Sequence, residues 1–183
     1  MKVLGISGSL RADSHNTRLL RHAAELLPEG YEFELYEGLA GIPPYSEDLE
    51  VHGEKAVEAL RDAIAGADAV LFATPEYNSS IPGQLKNALD WVSRPAGESE
   101  LRGVPVAVIS ASTGQFGAAW AQAELRKVLG SIGARVVETD HALPKAHEAW
   151  GPDGRLVDQT QRDSLREAVS ALVAEVETSL AAA

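Results

Sequence analysis

The stretch Gly8-Ser9-Leu10-Arg11-Ala12-Asp13-Ser14-His15-Asn16-Thr17 follows a short apolar run and leads into a helical period. Small hydroxyl and amide side chains at the start of a helix suit an anion, because free backbone N–H groups and the helix dipole both point at it. Ser9, Ser14, Asn16 and Thr17 add neutral donors, and Arg11 adds a charge that suits phosphate oxygens. An arginine here is informative, since the chain carries 16 Lys and Arg against 27 Asp and Glu, a net charge of −11. The loop is not a Walker A sequence, because no Gly-Lys-Ser/Thr follows. Nor is it the dinucleotide fingerprint: Gly5 and Gly8 are spaced G-x-x-G, with no third glycine at the helix start. The competing reading is a plain helix cap by Ser14 or Asn16.

A second stretch, Thr74-Pro75-Glu76-Tyr77-Asn78-Ser79-Ser80-Ile81-Pro82-Gly83, is framed by prolines and a glycine. Proline stiffens the backbone and removes its own donor, so its neighbours present defined N–H and C=O groups. Such a loop suits the edge of a planar heterocycle, and Tyr77 lays a flat apolar surface beside it. A turn with an exposed tyrosine is the plainer alternative. A third stretch, Ser110-Ala111-Ser112-Thr113-Gly114-Gln115-Phe116-Gly117, is small enough for a ring to approach the backbone closely, or for an ordinary cap.

Other chemistries fare poorly. The chain has no cysteine, which removes disulfides, thiolate metal sites, iron–sulfur clusters and cysteine nucleophiles. His141 and His147 have no common zinc-ligand spacing, so no metal is expected. Gly5-Ile6-Ser7-Gly8-Ser9 sets serine and glycine one position off the G-x-S-x-G elbow of hydrolases. The acidic balance argues against nucleic acid and against an anionic membrane surface.

The elements that must position these loops follow from periodicity. Apolar runs stand at 2–7, 31–36, 69–74, 104–110 and 135–137. Those at 2–7, 69–74 and 104–110 are almost continuously apolar, as strands are when helices cover both faces of a parallel sheet. The run at 31–36 alternates Glu32 and Glu34 with Tyr31, Phe33 and Leu35, which marks an edge; the short run Arg135–Val137 is the other edge. Helical stripes lie between: Leu19, Ala23, Leu26; Val57, Leu60, Ile64; Leu85, Leu89, Val92, with Pro82 in the first turn; Ala121, Leu125, Val128, Ile132; and Leu165, Val169, Leu172, Val176. Gly66 and Gly133 fall where left-handed C-caps are wanted. The pattern predicts one α/β domain over 1–183, a flavodoxin-like, doubly wound sheet of five parallel strands in the order 2-1-3-4-5. Ligands of such sheets bind beyond the carboxyl ends of the strands, where the stretches above must sit. The length of 183 residues suits a single core. No signal-peptide core or run of ~20 apolar residues occurs, so a cytoplasmic protein is expected.

Gly8-Ser9-Leu10-Arg11 with Ser14, Asn16 and Thr17, then Pro75-Glu76-Tyr77-Asn78 with Pro82-Gly83, then Lys86-Asn87-Ala88-Leu89-Asp90-Trp91 resemble the NADPH-dependent FMN reductase family, with its quinone and chromate reductases and azoreductase relatives. The resemblance runs to the Asp153-Gly154-Arg155-Leu156 turn before the last helix. It implies non-covalent FMN, with the phosphate on Ser9, Arg11, Ser14, Asn16 and Thr17, the ring edge on Pro75, Glu76, Tyr77 and Asn78, and Ser112, Thr113 and Gly114 beside the ring. It implies ping-pong hydride transfer from NADPH through flavin N5 to a quinone, chromate, azo or flavin acceptor, with no catalytic acid or base on the protein. Ser79 departs from the family, whose members often carry an aromatic residue there, and leaves the acceptor side less walled. The alternative is a non-enzymatic FMN electron carrier of flavodoxin type. A homodimer or homotetramer is also implied. Trp91 lies off the Leu85–Val92 stripe, so it is expected to meet a neighbouring subunit rather than pack sideways within its own.

Overall fold

The computed structural model describes residues 1–181. β1 (Lys2–Ser7), β2 (Glu32–Tyr36), β3 (Ala69–Thr74), β4 (Pro105–Ala111) and β5 (Arg135–Val136) form a parallel sheet in the order β2-β1-β3-β4-β5. Every residue of β3 and β4 is buried, as continuous apolar runs require, while Glu32 and Glu34 of β2 are exposed at its edge.

Strand side chains alternate between two cores. Leu4, Ile6, Val70, Phe72, Val106 and Val108 face α2 (Lys55–Ala65), α3 (Gly83–Val92) and α4 (Ala119–Ser131). Val3, Leu71, Ala73, Ala107 and Ile109 face α1 (His15–Ala24) and α5 (Gln159–Ala181). The expected stripes are the buried ones, except that Leu26 lies in the turn after α1, and Val128 and Ile132 pack at the core's edge beside fully buried Leu129.

Four local expectations need correction. The far edge is two short strands rather than one: β5 covers the start of β4, and β6 (Ala142–Leu143) pairs with Ser110 and Ala111 at its end. The edge chain bows out between them, and Thr139 Oγ1 and Gln122 Nε2 close the gap by donating to the Val108 carbonyl, each at 3.0 Å. Pro82 precedes α3 as its N-cap residue instead of sitting in the first turn. Gly133 is left-handed (φ +96°), but Gly66 is not (φ −82°); its N–H closes back on Asp62 and Ile64, and a Cβ there would come within 3.2 Å of the Asp62 carbonyl.

The fourth concerns Trp91, which is 2% exposed within its own subunit. Its Nε1 donates to the Pro43 carbonyl at 2.8 Å, and its ring meets Tyr45 edge-on at 5.2 Å. Gln84, Asn87 and Trp91 share one face of α3. Gln84 donates to the Leu39 and Ile42 carbonyls, and Asn87 donates to Pro43 O and accepts from Tyr45 N–H. That face holds down the segment after β2, so Trp91 packs sideways and is buried within its own subunit, against the expectation that it fills a neighbour's surface.

Candidate active site

The loops after β1, β3 and β4 meet in one open cleft of about 170 Å³ at the carboxyl end of the sheet. From the first loop come Ser9, Arg11, Ser14, His15 and Asn16; from the second Pro75, Glu76 and Tyr77; from the third Ala111, Ser112 and Thr113. Thr17 instead lines a neighbouring cavity, and Asn78 and Gly114 stand outside the cleft wall.

In the first loop, Ser14 is the N-cap of α1, its Oγ accepting the N–H groups of Asn16 and Thr17 at 3.2 Å. Capping uses oxygen lone pairs, so the hydroxyl proton still donates. Ser9 Oγ likewise accepts from Arg11 N–H at 3.4 Å. Among the described residues, the N–H groups of Leu10, Ala12 and Asp13 find no acceptor. The Arg11 guanidinium bends back to the Asp13 carbonyl at 2.5 Å over the same loop. Together these donors fit a phosphate.

Asn16 is 3% exposed, and its amide bonds through both its nitrogen and its oxygen. Nδ2 donates to the Ala111 carbonyl at 3.0 Å, and Oδ1 accepts the Ala111 N–H at 2.9 Å. Ser110 and Ser112 send their N–H groups to the β6 side, so the Ala111 N–H points toward β3. The β3–β4 pairing ends at Thr74 and Ser110, just before Pro75. Asn16 supplies a peptide-like group where that ladder runs out, joining the phosphate loop to the third loop.

The second loop contains a tight turn between its two prolines. Tyr77 and Ser80 exchange backbone hydrogen bonds at 2.9 and 3.2 Å around Asn78 (φ 54°) and Ser79 (φ 62°). Positive φ at both central residues is the two-residue hairpin geometry, and asparagine tolerates it well. Glu76 turns its carboxylate to the Ala121 N–H at 3.2 Å. The first residue flanking α4, Ala118, offers no side-chain cap, so Glu76 supplies one from a separate loop. Glu124 returns the contact at the Ile81 N–H, 3.3 Å. Glu76 and the half-exposed Tyr77 both line the cleft.

The third loop is tied to the chain beyond β6, with Lys145 N–H donating to Gly114 O and Ala146 N–H to Ser112 O, both at 2.9 Å. Gly117 passes so close to Ala142 that a Cβ would lie 2.7 Å from its carbonyl carbon. Phe116 and Trp120, 62% and 54% exposed, stack edge to face at 4.9 Å.

His15 is a cleft residue that the sequence reading did not select. It stands between the helix cap and the brace, at the first helical position, which was the available signal. Burial, and then Arg11, His147 and Arg18 nearby, push its pKa down.

The model of the NADPH-dependent FMN reductase family matches residues 1–148. An NAD(P)H-dependent FMN reductase of Pseudomonas aeruginosa is 44% identical over 174 residues, covering 94% of this chain and 93% of the relative. A 2-hydroxy-1,4-benzoquinone reductase of a Burkholderia species is 38% identical, with 91% of each chain covered. Among solved structures, the flavoenzyme NAD(P)H:(acceptor) oxidoreductase FerB of Paracoccus denitrificans superposes with a TM-score of 0.87 at 39% identity, covering 97% of each chain.

Proposed function

This chain belongs to the NADPH-dependent FMN reductase family, and from that premise we propose that it is an FMN-dependent reductase passing hydride from NADPH to a small acceptor of quinone type. The observation that carries the reading is the convergence of unpaired N–H groups, hydroxyls and Arg11 on the start of α1, in one cleft with the Pro75–Tyr77 loop. Bound FMN would supply the hydride-accepting and hydride-donating chemistry. Arg11, Ser9 and Ser14 hold its phosphate, while Asn16 acts as a brace between loops. The backbone at Pro75–Tyr77 borders the ring, held in place by the Glu76 and Glu124 contacts to α4. Ser112 and Thr113 flank it. Thr17, Asn78 and Gly114 support these loops from outside the cleft wall. Reductant and acceptor use the same open side in turn, which is the ping-pong order. No helix among the described residues is long and apolar enough to cross a membrane. A cytoplasmic setting, a single domain over the whole chain and acceptors other than quinones belong to this proposal as well.

Purified protein loaded with FMN should oxidise NADPH steadily once a quinone is added, and Arg11→Ala should weaken FMN binding by about 1.5 kcal/mol, roughly tenfold in Kd. An absence of NADPH oxidation across several acceptors would return the reading to an electron carrier.

A homo-oligomer remains part of the proposal, with its contact moved from α3 to the exposed Phe116–Trp120 pair beside the cleft. Aromatic residues are enriched at interface centres. Light scattering should show at least a dimer for the wild type and a shift toward monomer for Trp120→Glu; a monomeric wild type refutes this.

A further inference from the structure

A second cavity, of about 210 Å³, opens on the β2 side of the first loop. It shares Ser9 and Arg11 with the cleft described above, so the two spaces adjoin across the first loop. Its other polar walls are Ser7 of β1, Thr17 and Arg21 of α1, Tyr36 at the end of β2 and Glu37, the residue that directly follows it. Among the described residues, neither Arg11 nor Arg21 lies within ion-pair distance of a carboxylate. On a chain of net charge −11, two guanidinium groups lining one cavity against a single carboxylate form a local reversal of sign. Each space is smaller than the ~300–1,000 Å³ that encloses a whole drug-sized ligand, so each suits one end of a larger molecule.

The arrangement has a physical counterpart in doubly wound sheets. A carboxylate just past the second strand can accept from a ribose hydroxyl, and an arginine beside it neutralises a phosphate carried on that ribose. Glu37, directly after β2, and Arg21, on α1, line one cavity and supply those two residue types beside the first loop. Thr17 Oγ1 donates to Ser7 Oγ at 2.9 Å in the same cavity, which leaves the Ser7 hydroxyl proton as the neutral donor beside Arg21.

We propose that this cavity takes the 2′-phosphate-bearing ribose of NADPH, with Arg21 as the residue that selects NADPH over NADH. The proposal rests on the reading of the chain as an NAD(P)H-dependent reductase. It sets the nicotinamide end over the first cleft and the adenosine end beyond Arg11. Arg21 lies outside the first cleft, so its removal separates reductant choice from FMN binding.

Adenosine 2′,5′-bisphosphate carries the phosphorylated ribose without the nicotinamide, so calorimetry on the protein as purified reads the contact without turnover. Arg21→Ala should weaken this probe about tenfold, the size expected for one charge-assisted contact. Adenosine 5′-diphosphate, which lacks the 2′-phosphate, should bind wild type and variant alike. In turnover, kcat/KM for NADPH should fall by a similar factor while that for NADH holds, with partial recovery in Arg21→Lys and unchanged FMN affinity. Equal binding of the bisphosphate by wild type and Arg21→Ala overturns the assignment. A parallel loss of FMN affinity also overturns it, because the cavity would then belong to the FMN site. Arg21-dependent binding of the bisphosphate in a protein that oxidises no NADPH upholds the phosphate cavity and fails the reductase reading, so the two failures are told apart.

Discussion

Asn16→Ala is expected to destabilise the protein by about 2–4 kcal/mol, which for a chain of this size lowers the melting temperature by roughly 5–15 °C. The side chain makes two hydrogen bonds to one residue across 95 positions of sequence, donating to Ala111 O and accepting from Ala111 N–H. Both ends are buried. Alanine leaves a backbone donor and a backbone acceptor without partners, each costing ~1–3 kcal/mol in the absence of water. Asn16→Asp is no remedy at neutral pH: a carboxylate accepts the Ala111 N–H but turns a second lone pair toward the Ala111 carbonyl. Part of its loss should be regained on acidification, when the carboxyl can donate. Ser14→Ala, which removes only the cap, should cost about 1 kcal/mol and serves as the comparison. Thermal unfolding of the three variants gives the ranking, and a melting temperature for Asn16→Ala within a degree of wild type would reject the brace.

The sheet and its order were legible because burial on both faces writes itself as continuous apolar runs, and an edge writes itself as alternation, as at Glu32–Tyr36. The stripe Leu165, Val169, Leu172, Val176 was readable for the same reason, since one apolar face of a helix repeats at 3.6 residues. β6 left no such trace. Two residues, Ala142 and Leu143, are too few to show a period, and they form a strand only because β4 outruns β5. Trp91 was misjudged because rotation about a helix axis says which way a side chain points and nothing about what an irregular segment lays over it. The hydrogen-bonding side chains of Gln84 and Asn87 on the same face were a usable signal that backbone would be captured there.

The candidate site was legible at the level of loops more than of atoms. Residue types at the start of α1 suit an anion, and the structure gathers Ser9, Arg11, Ser14 and Asn16 in one cleft. It also divides their labour in ways that type does not encode. Ser14 caps, Asn16 braces and Glu76 closes the end of another helix. Hydroxyl and amide groups suit all of these tasks, and only the position of distant backbone, such as Ala111 and Ala121, decides between them.

Acid should destabilise the protein through His141, over a window set by one side chain. The imidazole is 1% exposed; its Nδ1 lies 3.3 Å from Ser164 Oγ of α5, and its Nε2 has no partner among the described residues. Burial, and secondarily His22 on α1, lower its pKa from 6.5 to about 4. The surrounding carboxylates, Glu138 and Asp140 on its own segment and Glu167 on α5, line the outer cleft at Ser164. A lowered histidine pKa means the unfolded chain binds the proton more readily, so stability is complete above about pH 6.5, declines as pH falls toward about 4 and gains no further penalty below that. The loss across that window is roughly 3 kcal/mol from this residue. His141→Leu removes the titration and the orphaned nitrogen together. Its urea-unfolding free energy at pH 7 should lie within about 1.5 kcal/mol of wild type, as a buried swap of similar volume allows. Between pH 6.5 and 4 the variant should lose roughly 3 kcal/mol less than wild type, the carboxylate contributions being common to both. Parallel pH–stability curves for the two proteins would show that His141 is not the group that titrates.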